Sequence, residues 1–271
     1  MTYFGFLLRF LFIPILVFLF ITFWDNRKNK QTSGFHNGHA GWMAIGIHVL
    51  LAVIYTTPWD NYLVATDVWY YNPDLVTGFV IGYVPIEEYT FFVLETFLAG
   101  LWWWFLARRL SPPKKEFKPN KLLVSLSTCT LIVSWIIFTY LFFFGEAKWT
   151  NLSITLFWAL PALLMQLLFG ADILWHYRKL VMWAILVPGI YLSLTDILAL
   201  KNTTWSISRT QTTGILFFGI LPLEEVLFFF ITNVLVNFGM TLLLSNVSQE
   251  RFKEIKEQLR GWKERRVVDP R

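Results

Sequence analysis

Seven long apolar segments, separated by short polar stretches, dominate the chain. They run roughly over residues 4–24, 41–57, 79–107, 121–144, 151–171, 180–199 and 214–244. A helix of about 20 apolar residues crosses the hydrocarbon core of a bilayer, so each segment predicts one membrane span, numbered 1 to 7. The pattern therefore predicts an all-α membrane protein with seven transmembrane helices.

The third and seventh segments are longer than one crossing requires. Each carries a proline in its first third, Pro85 and Pro222. Proline is tolerated in the first turn of a helix but not in its middle. The sequence therefore predicts that the long helices begin at these prolines, and that the preceding piece is a short re-entrant or interfacial segment.

Composition agrees with a membrane protein and excludes several other classes. Of 271 residues, 56% are hydrophobic and 15% are charged, whereas soluble domains carry about 25% charged residues. The single cysteine, Cys129, can build neither a disulfide framework nor a thiolate metal site. The net charge of +5 does not indicate nucleic-acid binding, because the basic residues lie in loops.

The basic residues also predict the orientation of the chain. Nineteen of the 23 lysines and arginines follow spans 1, 3, 5 or 7, whereas the loop 58–78 has three aspartates and no basic residue. Positive loops face the cytoplasm. We therefore expect a multi-pass protein of the cell membrane with its amino terminus outside and its carboxyl terminus cytoplasmic.

An internal repeat links the two halves of the chain. Asp60 and Trp69 match Asp196 and Trp205 at an offset of 136, and the Pro-x-Glu-Glu motifs match at 137. Span 4 then joins two parallel three-helix repeats, a 3+1+3 arrangement. The predicted domains are a first repeat (1–110), a linker with span 4 (111–150), a second repeat (151–244) and a charged cytoplasmic tail (245–271).

The two acidic pairs are the candidate chemistry. Acidic residues in the first turn of a helix are favoured by its dipole, so each pair could mark only a helix start. Charges within a membrane are costly and usually face an interior cavity, which favours a functional reading. The pairs are Glu87–Glu88 and Glu224–Glu225; the candidate supporting residues are Asp60, Asp196 and Glu95, which follows Glu88 by seven residues.

Most aromatic and histidine residues are interpreted as structural rather than catalytic. An interfacial belt accounts for most of the aromatic residues near the first acidic pair, although some could stabilise a carbocation through their π faces. These residues are Trp59, Trp69, Tyr70, Tyr71, Tyr83 and Tyr89. The run Trp102–Trp104 predicts a second belt at the cytoplasmic side. His48 predicts a packing residue, and we expect no metal site.

The motifs GYVPIEE at 82–88 and GILPLEE at 219–225, in a chain of this span pattern, resemble the integral-membrane lycopene cyclases in their fused two-copy form. The resemblance implies an intramolecular lyase, or isomerase, that cyclises the linear ends of lycopene, or a related acyclic carotenoid, to β-rings in carotenoid biosynthesis. It implies that Glu87, Glu88, Glu224 and Glu225 supply the acid chemistry and that the substrate comes from the lipid bilayer. No cofactor is expected, since the chain has no dinucleotide-binding glycine motif.

The residues by themselves leave a second class open. Seven spans in a 3+1+3 pattern are also the architecture of small-solute transporters of the SWEET type, in which acidic residues can relay protons. A retinal protein is excluded because span 7 has no lysine. The sequence leaves open whether the ring is β or ε and whether one or both ends of the substrate are cyclised. It also leaves open which glutamate of each pair is the acid, whether the two repeats form one shared site or two, and the oligomeric state.

Overall fold

The computed structural model describes residues 1–30, 32, 34–36 and 38–268, with only the backbone described for 261–268. It is 74% helical, and within the described chain seven helices are long and apolar enough to cross a membrane. They are Tyr3–Arg27, His39–Ala65, Ile86–Ala107, Lys121–Phe144, Ala147–His176, Arg178–Lys201 and Leu223–Leu244, spans 1 to 7 in order. The predicted seven-helix membrane fold is confirmed.

Short strands precede the two long helices that carry the acidic pairs. Val80–Ile81 (β2) pairs with Val84–Pro85 (β3), and Leu216–Phe217 (β5) pairs with Leu221–Pro222 (β6), as two antiparallel hairpins. The sequence predicted a re-entrant or interfacial segment before each long helix, but it did not predict that this segment contains a β-hairpin. Each hairpin turns at a glycine with positive φ, +69° at Gly82 and +71° at Gly219, where glycine avoids the steric penalty of a side chain.

A third strand pair joins the two halves of the chain. Trp69–Tyr71 (β1) lies antiparallel to Trp205–Ile207 (β4), with Tyr70 opposite Ser206. These two residues are 136 positions apart, the same offset that relates β2 to β5. The two strands occupy equivalent positions of the two halves, and their equivalent central residues lie directly opposite each other. Two strands that pair in this way are related by a local two-fold rotation. The division into repeats 1–110 and 151–244 stays an interpretation that this geometry supports.

Spans 3 and 7 form the interior of the bundle, and span 4 lies at its edge. Span 3 has 15 buried residues and span 7 has 13, whereas none of residues 121–144 in span 4 is buried. The predicted cytoplasmic tryptophan belt is wrong for two of its three members. Trp103 and Trp104 are 0% and 1% exposed, and the indole of Trp103 donates to Thr241 Oγ1 at 2.9 Å.

The tail begins as a helix, Asn246–Val268, directly after span 7. Its Arg251 makes two 2.8 Å hydrogen bonds to the carboxylate of Asp172 at the end of span 5, and a third to the carbonyl oxygen of Phe169. The start of the tail is therefore fixed to the bundle. The last three residues of the predicted tail, 269–271, lie outside the described residues.

Candidate active site

The acidic pairs stand at two equivalent helix starts. Pro85 and Pro222 have the extended backbone of an N-cap residue, and the helices begin at Ile86 and Leu223. The predicted helix starts are therefore confirmed to within one residue. Both glutamates of each pair lie in the first turn, where the backbone N–H groups have no partner within the helix and favour a negative charge nearby.

The first glutamate of each pair holds the preceding loop. Glu87 Oε1 accepts a hydrogen bond from the backbone N–H of Thr77 at 2.6 Å, and Glu224 Oε1 accepts one from Thr213 at 2.7 Å. Both side chains are 1% exposed. The equivalent contacts close the loops Thr77–Glu87 and Thr213–Glu224 against their helices.

The second glutamate of each pair faces the interior. Successive residues on a helix point about 100° apart, which turns Glu88 and Glu225 away from the loops and toward each other. Both line one cavity and are close enough to interact electrostatically. The two halves of the chain therefore contribute one carboxyl each to a common site.

The cavity is small in this structure, with a free volume of about 30 Å³. Its polar lining comes from Glu88, Glu225, Asp196, Thr195 and two tyrosines. The remainder is apolar and mostly aromatic, contributed by Phe6, Trp69, Phe91, Leu192, Trp205, Phe228 and Phe229. An apolar, aromatic pocket with a few convergent polar groups is the form expected of a small-molecule site.

Aromatic rings pack into two walls around the carboxyls. In the first, Trp205 lies 4.8 Å from Tyr3 and 5.1 Å from Phe6 between ring centroids. In the second, Trp69 lies 5.2 Å from Trp59 and 5.6 Å from Phe228. Trp59, Trp69 and Tyr89 are under 9% exposed, whereas Tyr70 and Tyr83 are exposed. The predicted interfacial belt is therefore wrong for the three buried rings.

Two buried aspartates accompany the glutamates. Asp60 and Asp196 are 0% exposed, and both interact electrostatically with Glu88. Asp196 accepts a 2.8 Å hydrogen bond from the indole of Trp205, whereas both carboxyl oxygens of Asp60 lack a hydrogen-bond partner among the residues that the structure describes. The structure thus brings four carboxyls together, of which Glu88, Glu225 and Asp196 line the cavity.

Glu95 lies apart from the cavity lining. Its Oε1 accepts a 2.6 Å hydrogen bond from Thr232 and a 3.5 Å one from Asn233, both on span 7. Glu95 and Thr232 are equivalent positions of the two halves. This contact therefore lies on the local two-fold axis and joins spans 3 and 7.

Two tyrosines of the site were not among the predicted acid or supporting residues, and of these only Tyr71 was among the predicted aromatic residues. The hydroxyl of Tyr3 donates to Glu88 Oε2, and the ring of Tyr71 stacks on Tyr3 with centroids 6.0 Å apart. Burial, followed by the nearby charges of Asp60 and Glu88, raises the pKa of Tyr71 well above its ordinary value. No sequence signal identified Tyr3, because a tyrosine at the start of an apolar span is also typical of a membrane interface.

Curated relatives cover most of the chain. Lycopene beta-cyclase of Halobacterium salinarum, strain R1, is 38% identical over 204 residues, which are 73% of this chain and 81% of that protein. A bifunctional lycopene cyclase/phytoene synthase of Podospora anserina is 32% identical over 219 residues, 77% of this chain and 36% of that protein. A protein of the same name from Aspergillus oryzae is 30% identical and is covered over 34% of its length. No family profile and no solved structure matches the chain.

Proposed function

The chain belongs to the lycopene cyclase family, and we propose that it cyclises the linear ends of lycopene, or of a related acyclic carotenoid, to β-rings in carotenoid biosynthesis. The reaction is an isomerisation of the intramolecular-lyase type, because substrate and product have the same formula. These relatives give the transporter alternative no support.

One observation carries the proposal: two carboxyls from different halves of the chain, Glu88 and Glu225, line the same aromatic cavity. Ring closure needs an acid that adds a proton to the terminal C=C bond, which leaves a tertiary cation. The next double bond attacks that cation, forming the ring, and a base then removes a proton. Two carboxyls can perform these proton transfers.

The aromatic walls suit the intermediate. Indole and phenyl faces attract a cation within about 6 Å of their centre, and the rings of Trp69, Trp205 and Phe228 surround the carboxyls. A pocket lined by rings also excludes water, which would otherwise trap the cation. We propose Asp60 and Asp196 as supporting residues and assign Glu87 and Glu224 to holding the site in shape.

The proposed setting is the cell membrane, with the amino terminus outside and the cavity toward the outer leaflet. The bundle exposes many large apolar side chains, among them Phe20, Met43 and Leu168, which suit contact with lipid. An apolar polyene dissolved in the same bilayer can reach the cavity from the side. Because no net redox change occurs, the proposal requires no hydride donor.

The test is cyclisation in heavy water. Membranes containing the protein are supplied with lycopene in D₂O, and the pigments are separated and weighed by mass spectrometry. We expect each new ring to carry one deuterium, at the carbon next to the quaternary centre. Glu88→Gln and Glu225→Gln should lower ring formation by ~10²–10⁴, the effect of removing a general acid or base.

The control is Glu116→Gln, at an exposed loop position, which should leave ring formation unchanged. Protein abundance in the membrane is measured for every variant. Unlabelled cyclic product, or strict dependence on reduced nicotinamide, would overturn the acid–base reaction, and wild-type protein that forms no ring would overturn the proposed function itself.

A further inference from the structure

The two carboxyls that share the cavity have unequal surroundings. Glu88 Oε2 accepts the hydrogen bond of the Tyr3 hydroxyl, and the hydroxyl of Tyr71 is buried near the same carboxyl without a hydrogen-bond partner of its own in the described part of the chain. Glu225 Oε1 is buried without a hydrogen-bond partner in the described part of the chain, and the indole N–H of Trp69, which is buried near this carboxyl, likewise has none there. The site is therefore asymmetric although its halves are equivalent.

The asymmetry originates in two sequence positions. The backbone N–H of Tyr3 donates to Leu75 at 2.8 Å and that of Asn151 donates to Gln211 at 3.0 Å; Leu75 and Gln211 are 136 positions apart, so Tyr3 and Asn151 are equivalent. Asn151 supplies no phenol there: its Oδ1 accepts a 3.4 Å hydrogen bond from Thr155 Oγ1, and its Nδ2 has no hydrogen-bond partner in the described part of the chain.

The second position removes the other phenol. Tyr71 lies at the end of β1, and its equivalent on β4 is Ile207, again 136 residues later. Isoleucine has no polar group that could reach a carboxyl. The first half thus places two hydroxyls near its glutamate, of which that of Tyr3 donates a hydrogen bond, and the second half has no hydroxyl at either equivalent position.

These surroundings suit different proton transfers. An ionised carboxylate only accepts hydrogen bonds, whereas a carboxylic acid can also donate. The Tyr3 hydroxyl donates to Glu88 and so matches a carboxylate that waits to receive a proton. Glu225 has an oxygen without a hydrogen-bond partner among the described protein groups, so a proton on this oxygen can be transferred to a substrate carbon.

We propose that Glu225 is the proton donor of the cyclisation and that Glu88, held by the positioning residues Tyr3 and Tyr71, is the base that ends it; this division rests on the proposed function. The proton of Glu225 forms a C–H bond at the terminal alkene, and the ring C–C bond then forms. Glu88 takes a proton from the ring carbon, whose C–H electron pair becomes the ring double bond. Transfer of the proton from Glu88 back to Glu225 through the cavity restores the starting state.

The experiment compares products rather than rates alone. Membranes carrying wild type, Glu225→Gln, Glu88→Gln, Tyr3→Phe or Tyr71→Phe receive lycopene in D₂O, and the cyclic products are resolved by chromatography and mass. Glu225→Gln should leave lycopene unreacted. Glu88→Gln and Tyr3→Phe should still form some cations, which lose a different proton or capture water, so the share of isomeric or hydroxylated rings should rise.

For Tyr3→Phe we expect a loss of roughly tenfold in β-ring formation, the scale of one hydrogen bond to a charged group, and a shifted pH profile. The matched control is Tyr191→Phe, which removes a half-buried phenol that donates to the carbonyl oxygen of Phe10 at 2.9 Å and is not part of the cavity lining. It should change neither product ratio nor pH profile.

Two results would overturn the division of roles. One is the same product pattern from Glu88→Gln and Glu225→Gln, and the other is a Tyr3→Phe variant with the product ratio and pH profile of the Tyr191→Phe control. Either result, obtained while wild type still forms deuterated rings, leaves the proposed cyclase function intact, so the two failures are distinguishable. Tyr71→Phe keeps the test decisive if Tyr3→Phe does not accumulate in the membrane.

Discussion

At the scale of single residues, the two glutamates of each Pro-x-Glu-Glu motif make different contacts. The sequence left open which glutamate of each pair is the acid. That choice depends on which face of span 3 packs inward, and span 3 is apolar nearly all round. In the structure Glu88 lines the cavity, whereas Glu87 accepts a hydrogen bond from the backbone N–H of Thr77.

The contact between Glu87 and Thr77 should contribute to stability. Replacing Glu87 by Ala removes the only described acceptor of a part-buried N–H group, which should cost about 1–3 kcal/mol and lower the apparent melting temperature in detergent. Glu87→Gln retains an acceptor oxygen and should lose less. Glu116→Ala, at the exposed loop position, serves as control; an unchanged melting temperature in Glu87→Ala would contradict the assignment.

At the scale of elements, helices were predicted well and strands were missed. Long apolar segments have one structure open to them in a bilayer, because every backbone polar group must be satisfied within the helix. The three-residue strands β1 and β4 carry no such signal. They pair across more than 130 residues of sequence, and a periodicity of two cannot be recognised over three residues.

The β1–β4 pair predicts a specific cross-link. Directly opposite residues of antiparallel strands have Cα atoms ~4.5–5.5 Å apart, within the range of about 4.4–6.8 Å that a disulfide spans. Tyr70→Cys with Ser206→Cys, in a chain whose single native cysteine is changed by Cys129→Ser, should oxidise readily. A protease site inserted in the exposed loop around Lys115 then gives two fragments that stay joined until reduced.

The control for that experiment combines Tyr83→Cys with Ser206→Cys. Both positions are exposed, but Tyr83 lies in the β2–β3 turn and does not oppose Ser206. This pair should separate on a non-reducing gel after cleavage. Equal cross-linking of both pairs would contradict the strand register.

At the scale of the whole molecule, charge is distributed unevenly between the two ends of the bundle. Away from the cavity, Asp25 contacts Arg109 at 2.8 Å and Asp172 contacts Arg251 at 2.8 Å. Spans 1 and 5 are thus tied at the same end to the segments that follow spans 3 and 7. The basic loops collect at this end, and the orientation inferred from their sequence stays a prediction.

The proposed orientation can be measured with single cysteines. In the Cys129→Ser background, Asp74→Cys lies in an exposed loop on the cavity side and Lys253→Cys lies on the exposed tail helix. A membrane-impermeant maleimide added to intact cells should label position 74 and reach position 253 only after lysis. Labelling of both positions in intact cells would contradict the seven-span orientation.

The contact of Glu95 with Thr232 bears on how such a chain could have arisen by duplication. Equivalent positions meet there on the two-fold axis, and they hold unlike residues. Two copies of the first half would press one carboxyl against another, and two copies of the second half would leave a hydroxyl pair with no carboxyl. Replacing either half by a duplicate of the other would therefore lose this hydrogen bond, so divergence at this point favours the pairing of two unlike halves over the pairing of two identical ones.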